Sequence, residues 1–188
     1  MTAQLESALT ALRQPGQRFE QLTIQAPRLP GLYAFYAPQQ VLAAWPWDVP
    51  YENRPLYVGK SERSLNSRDV LTHFGTGKTG WSTVRRSLAV ALKDELQLAA
   101  VPRNVTAPAR PANFGLTIEG ERRLSDWMRE HLTLAFWVSP GGVDLGELET
   151  AVIDDWQPPL NIDKVRNPSQ WMRAGRRAFA DAVRAQTG

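Results

Sequence analysis

The sequence contains no cysteine, which excludes a disulfide framework and any thiolate metal site. No apolar run approaches the roughly 20 residues that a bilayer-spanning helix requires. The first residues, Met-Thr-Ala-Gln-Leu-Glu-Ser, lack the basic region and apolar segment of a secretory signal, so a cytoplasmic protein without membrane contact is expected. No internal repeat or low-complexity tract stands out. Acids are scarce in one place: between Lys60 and Lys93 only Glu62 and Asp69 stand against seven basic residues.

What is present is the balance of an ordinary globule. The 188 residues are 43% hydrophobic and 22% charged, enough for one domain over residues 1–188 with a substantial core. The formal charge is only +3, so the basic segment leaves the remainder slightly acidic. Such a local excess suits a face that meets a polyanion. Arginine supplies 18 of the 22 basic residues, the type fitted to bidentate phosphate contacts. Compositional bias accounts equally well for the overall arginine excess, but less readily for the clustering.

Periodicity predicts a short amphipathic helix over 3–13, ended by Pro15-Gly16. Residues 31–37 alternate and are rich in aromatics, which predicts a strand; 56–59 and 132–138 read the same way. Between the first two lies a proline-punctuated insert, 38–55, holding Trp45 and Trp47. Helices are predicted over 65–74, over 82–98 with Ser82 as N-cap, and over 119–131, 145–156 and 168–186. Residues 101–114, with three prolines, read as an extended connection. In the last helix Trp171, Ala174, Ala178, Phe179, Ala182 and Val183 form the apolar side, with Arg173, Arg177 and Arg184 on another.

Two short strings carry the chemistry, Gly31-Leu32-Tyr33 and Tyr57-Val58-Gly59, each a tyrosine beside a glycine on a predicted strand. Arg68 follows on the next helix, then His73. Glu149 lies on a later helix that ends in Pro158-Pro159-Leu160-Asn161. In this order and spacing the chain resembles the GIY-YIG nucleases, a family that includes homing endonucleases, some restriction enzymes and the incision module of excision-repair nucleases. The resemblance spans about residues 29–163, leaving 1–28 as a helical extension and 164–188 as an additional C-terminal helix. It implies an α+β fold built on a small three-stranded antiparallel sheet flanked by helices. The insert between strands 1 and 2 and the C-terminal helix depart from the minimal module.

The resemblance further implies a metal-dependent endonuclease hydrolysing phosphodiester bonds, with Glu149 holding one divalent ion, Mg²⁺ or Mn²⁺. Glu147 is the nearest rival carboxylate. Tyr33 is expected as general base or water-orienting phenol, with Tyr57 as partner and Lys60 as the neighbouring cation that an unperturbed phenol needs. Tyr36, three residues on from Tyr33, is expected to face the other side of its strand and pack. Arg68 is expected on the scissile phosphate, with Arg63 as the alternative; His73 would orient water or base, and Asn161 would hold the Glu149 region or a phosphate. His73 falls one residue beyond the family's usual spacing.

Residues 75–80, Gly-Thr-Gly-Lys-Thr-Gly, look like the end of a P-loop. They lack its first glycine and follow a helix rather than a strand, which removes the nucleotide-binding reading. An anion grip formed by the loop, Lys78, Arg85, Arg86 and the next helix N-terminus is the better expectation. Trp127, Trp137, Trp156 and Trp171 read as core; Trp45 and Trp47, in the insert, are the better candidates to meet DNA, but packing of the insert is the preferred reading for them. The expected substrate is DNA, RNA being the alternative, with a homodimer possible on the substrate. Two other classes stay open: a non-cleaving nucleic-acid-binding module of the same fold, and a domain whose arginines meet an acidic protein.

Overall fold

In a computed structural model, residues 2–43, 45–46, 54–66, 72–103 and 111–187 are described. The chain is α+β, with an antiparallel sheet between two layers of helices. Helix α1 (Thr2–Leu12) leads into β1 (Gln17–Arg18), α2 (Phe19–Gln25) and β2 (Gly31–Tyr36). A single turn, α3 (Gln39–Leu42), precedes β3 (Tyr57–Ser61). Then come α4 (Thr83–Ala91), β4 (Ala100–Val101), β5 (Gly115–Leu116), α5 (Ile118–His131), β6 (Thr133–Val138), α6 (Leu145–Trp156) and α7 (Gln170–Thr187). The helix expected over 65–74 falls in part outside the described residues.

The three expected strands are present as β2, β3 and β6. Their sheet has a fourth member, because β1 pairs with β6 and the order is β1-β6-β2-β3. Two residues of strand carry too little alternation to be seen in sequence. The expected extended connection is bracketed by β4 and β5, which pair with each other.

Side-chain alternation splits the interior into two cores. Leu32, Ala34, Val58, Ala135 and Trp137 face α1 and α6, meeting Ala8, Leu12, Leu145, Leu148, Val152 and Ile153. Tyr33, Phe35, Tyr57 and Leu134 face the opposite way, toward α4, α5 and α7, where Leu88, Leu124, Met128 and Phe179 are buried.

Helix α4 begins where expected. Ser82 accepts the Arg85 backbone N–H at 3.1 Å, a side-chain N-cap. It ends at Ala91 rather than near Leu98. Leu98 N–H returns to the Lys93 carbonyl at 2.8 Å and Gln97 takes a left-handed φ of 48°, which winds the chain out of the helix. In α7 the buried stripe is Met172, Phe179, Ala180 and Val183, while Ala174, Ala178 and Ala182 are exposed. No helix among the described residues is long and apolar enough to cross a membrane.

Candidate active site

The register of β2 against β3 explains the glycines of both motifs. Tyr33 stands opposite Gly59, and a Cβ on Gly59 would lie 2.4 Å from the Cζ and hydroxyl oxygen of Tyr33. A Cβ on Gly31 would lie 2.0 Å from the Trp137 carbonyl oxygen of β6. Only glycine admits these approaches. The two tripeptides therefore form one packing unit, with the Tyr33 ring laid across the second glycine.

The Tyr33 hydroxyl is 2.8 Å from His73 Nε2, and His73 Nδ1 is 2.7 Å from Ser82 Oγ, the cap of α4. All three side chains are buried. Two proton arrangements satisfy this row. Ser82 can donate to Nδ1 while Nε2–H donates to the phenol. Alternatively, Nδ1–H donates to Ser82 and Nε2 accepts the phenolic proton, which lets His73 polarise Tyr33. Tyr57 stacks beside Tyr33 with ring centroids 6.3 Å apart and is the more open of the two phenols. Tyr36 points to the opposite face, where its hydroxyl donates to the Leu12 carbonyl at 2.8 Å; burial pushes its pKa up to about 12, against the opposing charge of Arg13.

Lys60 follows Val58 in the alternation and faces α6. It pairs with Glu62, whose hydrogen bond raises the ammonium pKa, and the charges of Glu149 and Asp144 act in the same direction. Asp144 caps α6 by accepting the N–H groups of Gly146 and Glu147 at 2.7 and 3.0 Å. Glu149 lies in the second turn of α6, largely covered, and accepts Lys164 Nζ at 2.5 Å; the same ammonium donates to the Gly146 carbonyl at 3.3 Å. Glu147 is exposed. Among the described residues no three His, Cys, Asp or Glu side chains gather as a metal cluster. A single carboxylate such as Glu149 is chemically compatible with a hard divalent ion completed by water and phosphate oxygens.

The predicted site residues therefore fall on two faces of one sheet. Tyr33, Tyr57 and His73 lie on the α4 side, whereas Lys60 and Glu149 lie on the α6 side. Strand β3, carrying both Tyr57 and Lys60, is the element they share. Arg68 and Trp47 lie outside the described residues; Arg63 and Lys78 are exposed.

Three residues expected to touch substrate are turned inward. Arg85 is fully buried, pairing with Glu121 at 2.8 Å and donating to Thr79 Oγ1, the His73 carbonyl and Ser125 Oγ. Burial lowers its pKa and Glu121 counters the shift. Arg86 is buried and donates to the Thr79 and Gly80 carbonyls at 3.3 and 2.9 Å. Neither guanidinium can reach a phosphate, because a buried cation first satisfies the protein groups around it. Asn161 is also buried: its Oδ1 accepts Val58 N–H at 3.0 Å and its Nδ2 donates to the Val58 carbonyl at 2.9 Å, which commits its oxygen and one N–H to the backbone of β3. Trp45 packs, as preferred for the insert: it is buried and stacked on Trp127 with centroids 6.0 Å apart.

One residue escaped the sequence reading. Arg176 of α7 is half-buried, donates to the Thr83 carbonyl and Ser87 Oγ, each at 3.3 Å, and lies over the Phe114 ring. Burial and then the like charge of Arg86 push its pKa down to about 9, while Tyr57 acts in the opposite direction. The available signal was its place on the stripe Met172, Arg176, Phe179, Val183, a cation at helical spacing among apolar residues.

No curated protein and no solved structure matches the chain. The family model of the GIY-YIG catalytic domain matches residues 50–177, from ahead of β3 into α7. That span includes Tyr57, Lys60, His73, Glu149 and Arg176, and the strand bearing Gly31-Leu32-Tyr33 is hydrogen-bonded to its first strand. With well over half of its length matched, and with both name-giving motifs interlocked across β2 and β3, the chain belongs to the GIY-YIG nuclease family.

Proposed function

We propose that this protein is a metal-dependent endonuclease that hydrolyses phosphodiester bonds in DNA. The observation that carries the reading is the hydrogen-bonded row Tyr33–His73–Ser82 beside Tyr57, on the same strand that directs Lys60 toward the start of α6, the helix bearing Glu149. Cutting a phosphodiester needs an oriented nucleophile, charge neutralisation at phosphate and help for the leaving oxygen.

Tyr57, the more open phenol, would orient the attacking water. Tyr33 is a positioning residue, since its hydroxyl is enclosed and hydrogen-bonded to His73. Arg176 would take phosphate charge from the α7 side, with Arg68 as the family's own arginine. Glu149 would hold the ion, with Lys60 near it as a fixed cation. A divalent ion bound there supplies Lewis-acid polarisation of phosphate oxygens. One such site nicks a single strand, so double-strand cutting would take a homodimer on the substrate or successive turnovers.

A second reading, a nucleic-acid-binding module that does not cut, is favoured by one observation: the Lys164 ammonium occupies the Glu149 carboxylate. Nicking of supercoiled plasmid with Mg²⁺ or Mn²⁺ separates the two. Wild-type protein should nick and Glu149→Ala should lose at least a hundredfold in rate, with full inhibition by chelator. Equal nicking by Glu149→Ala would sink the metal-ligand assignment. Absence of cutting with every ion, alongside retained DNA binding, would establish the second reading.

A further inference from the structure

The loop over residues 75–80 has no part in the reading above, yet its backbone is held by a buried carboxylate. Glu121 of α5 accepts the backbone N–H groups of Gly77 and Thr79, each at 3.2 Å, and the Thr79 hydroxyl at 2.9 Å. The same carboxylate is anchored by the buried Arg85 guanidinium. A buried ion pair adds little net stability, but it fixes geometry. What it fixes here is the single turn Thr79–Trp81.

That turn presents Trp81 to solvent. Trp81 is 52% exposed, whereas Trp45, Trp127 and Trp137 are buried. Two cations lie over its ring: Lys78 Nζ is 5.7 Å and Arg103 Cζ 5.2 Å from the centroid. Arg103 is held in place, donating to the Gly80 carbonyl at 3.3 Å, and its side chain lies where a Cβ on Gly80 would be. Ile118, 84% exposed, borders a cavity of about 240 Å³ beside the ring. The acid facing this surface, Glu121, is already neutralised by Arg85. Trp81 also adjoins Ser82, the residue that holds His73.

A half-exposed indole with two cations over its ring, on a loop held from beneath, has the composition of a platform for an unstacked base, which would displace a cation from the ring face onto its phosphate. We infer that Trp81, Lys78 and Arg103 bind a single-stranded segment of the nucleic-acid substrate, with a base stacked on Trp81. The inference rests on the nuclease reading for its substrate class, but its test does not depend on cutting.

The experiment measures fluorescence anisotropy of a labelled single-stranded oligonucleotide and of the matching blunt duplex, with chelator present to prevent cleavage. Wild type should prefer the single strand. Trp81→Ala should weaken single-strand binding about tenfold or more, and Trp81→Phe should recover part of that affinity. Replacing Lys78 and Arg103 together by alanine should lower the salt slope by about 0.7 for each phosphate no longer neutralised. Unchanged single-strand affinity in Trp81→Ala would overturn the inference. So would equal dependence of duplex binding on Trp81, or competition by polyglutamate as effective as that of unlabelled oligonucleotide. Plasmid nicking absent with every ion, beside Trp81-dependent oligonucleotide binding, would remove the nuclease and leave the platform standing; the converse pattern would remove the platform alone.

Discussion

Single residues in this protein derive their roles from which way they point. Tyr33 and Tyr36 share a strand and a side-chain type, yet one joins His73 and the other closes on Leu12. Tyr36 carries a pH signature. Its folded pKa of about 12 lies above its ordinary value of about 10. The native state therefore holds this proton more tightly than the unfolded chain. The stability involved is fully present below pH 10 and is lost as pH rises from 10 through 12. Urea unfolding followed from about pH 8 to about 11.5 should show midpoints falling above about pH 10, and Tyr36→Phe should flatten that fall. An identical alkaline fall in the variant would assign it elsewhere. At this scale the sequence was legible where a steric demand accompanied the motif: Gly31 and Gly59 stand out because backbone and ring close over them. It was not legible for Arg85, Arg86 and Asn161, since residue type declares a charge or an amide without declaring whether it faces water.

Among the elements, the loop at 75–80 and helix α5 act as one unit through Glu121. Removing one partner of a buried ion pair leaves the other charge stranded, at a cost of about 3–5 kcal/mol. Glu121→Ala should lower the free energy of unfolding by that order, and it should also free the Gly77 and Thr79 amides to exchange with solvent. A double variant, Arg85→Met with Glu121→Leu, should recover most of the stability while the loop amides stay unprotected. Protected amides in the double variant would show that the loop holds itself. Long elements were legible because their periodicity is strong: α1, α5, α6 and α7 all begin and end within two residues of expectation. The strands β1, β4 and β5 were not, since two-residue pairings owe their existence to partners brought by the tertiary fold rather than to their own pattern.

Considered as a whole molecule, the sheet is a partition. The phenol–imidazole row lies on one side and the Glu149–Lys164 pair on the other, so the changes in folding stability caused by substitutions on the two sides should add. Lys164→Met removes the cation resident on Glu149 and should tighten Mn²⁺ binding several-fold by calorimetry, while the His73 ring resonances stay in place. Shifted His73 signals, or unchanged ion affinity, would contradict this separation. Three-dimensional placement of this kind lay beyond the sequence, because the motif residues all occur in order whichever face each one takes. The clamp of Asn161 on Val58 has a consequence at the same scale. A terminal strand offers its unpaired amides as a template on which another chain can add. At β3 a side-chain amide takes up both groups of Val58, imitating the strand that would come next. At the far end β1 is only two residues long. The sheet is thereby stopped at both margins, and a visiting β-segment finds no free ladder to extend at Val58.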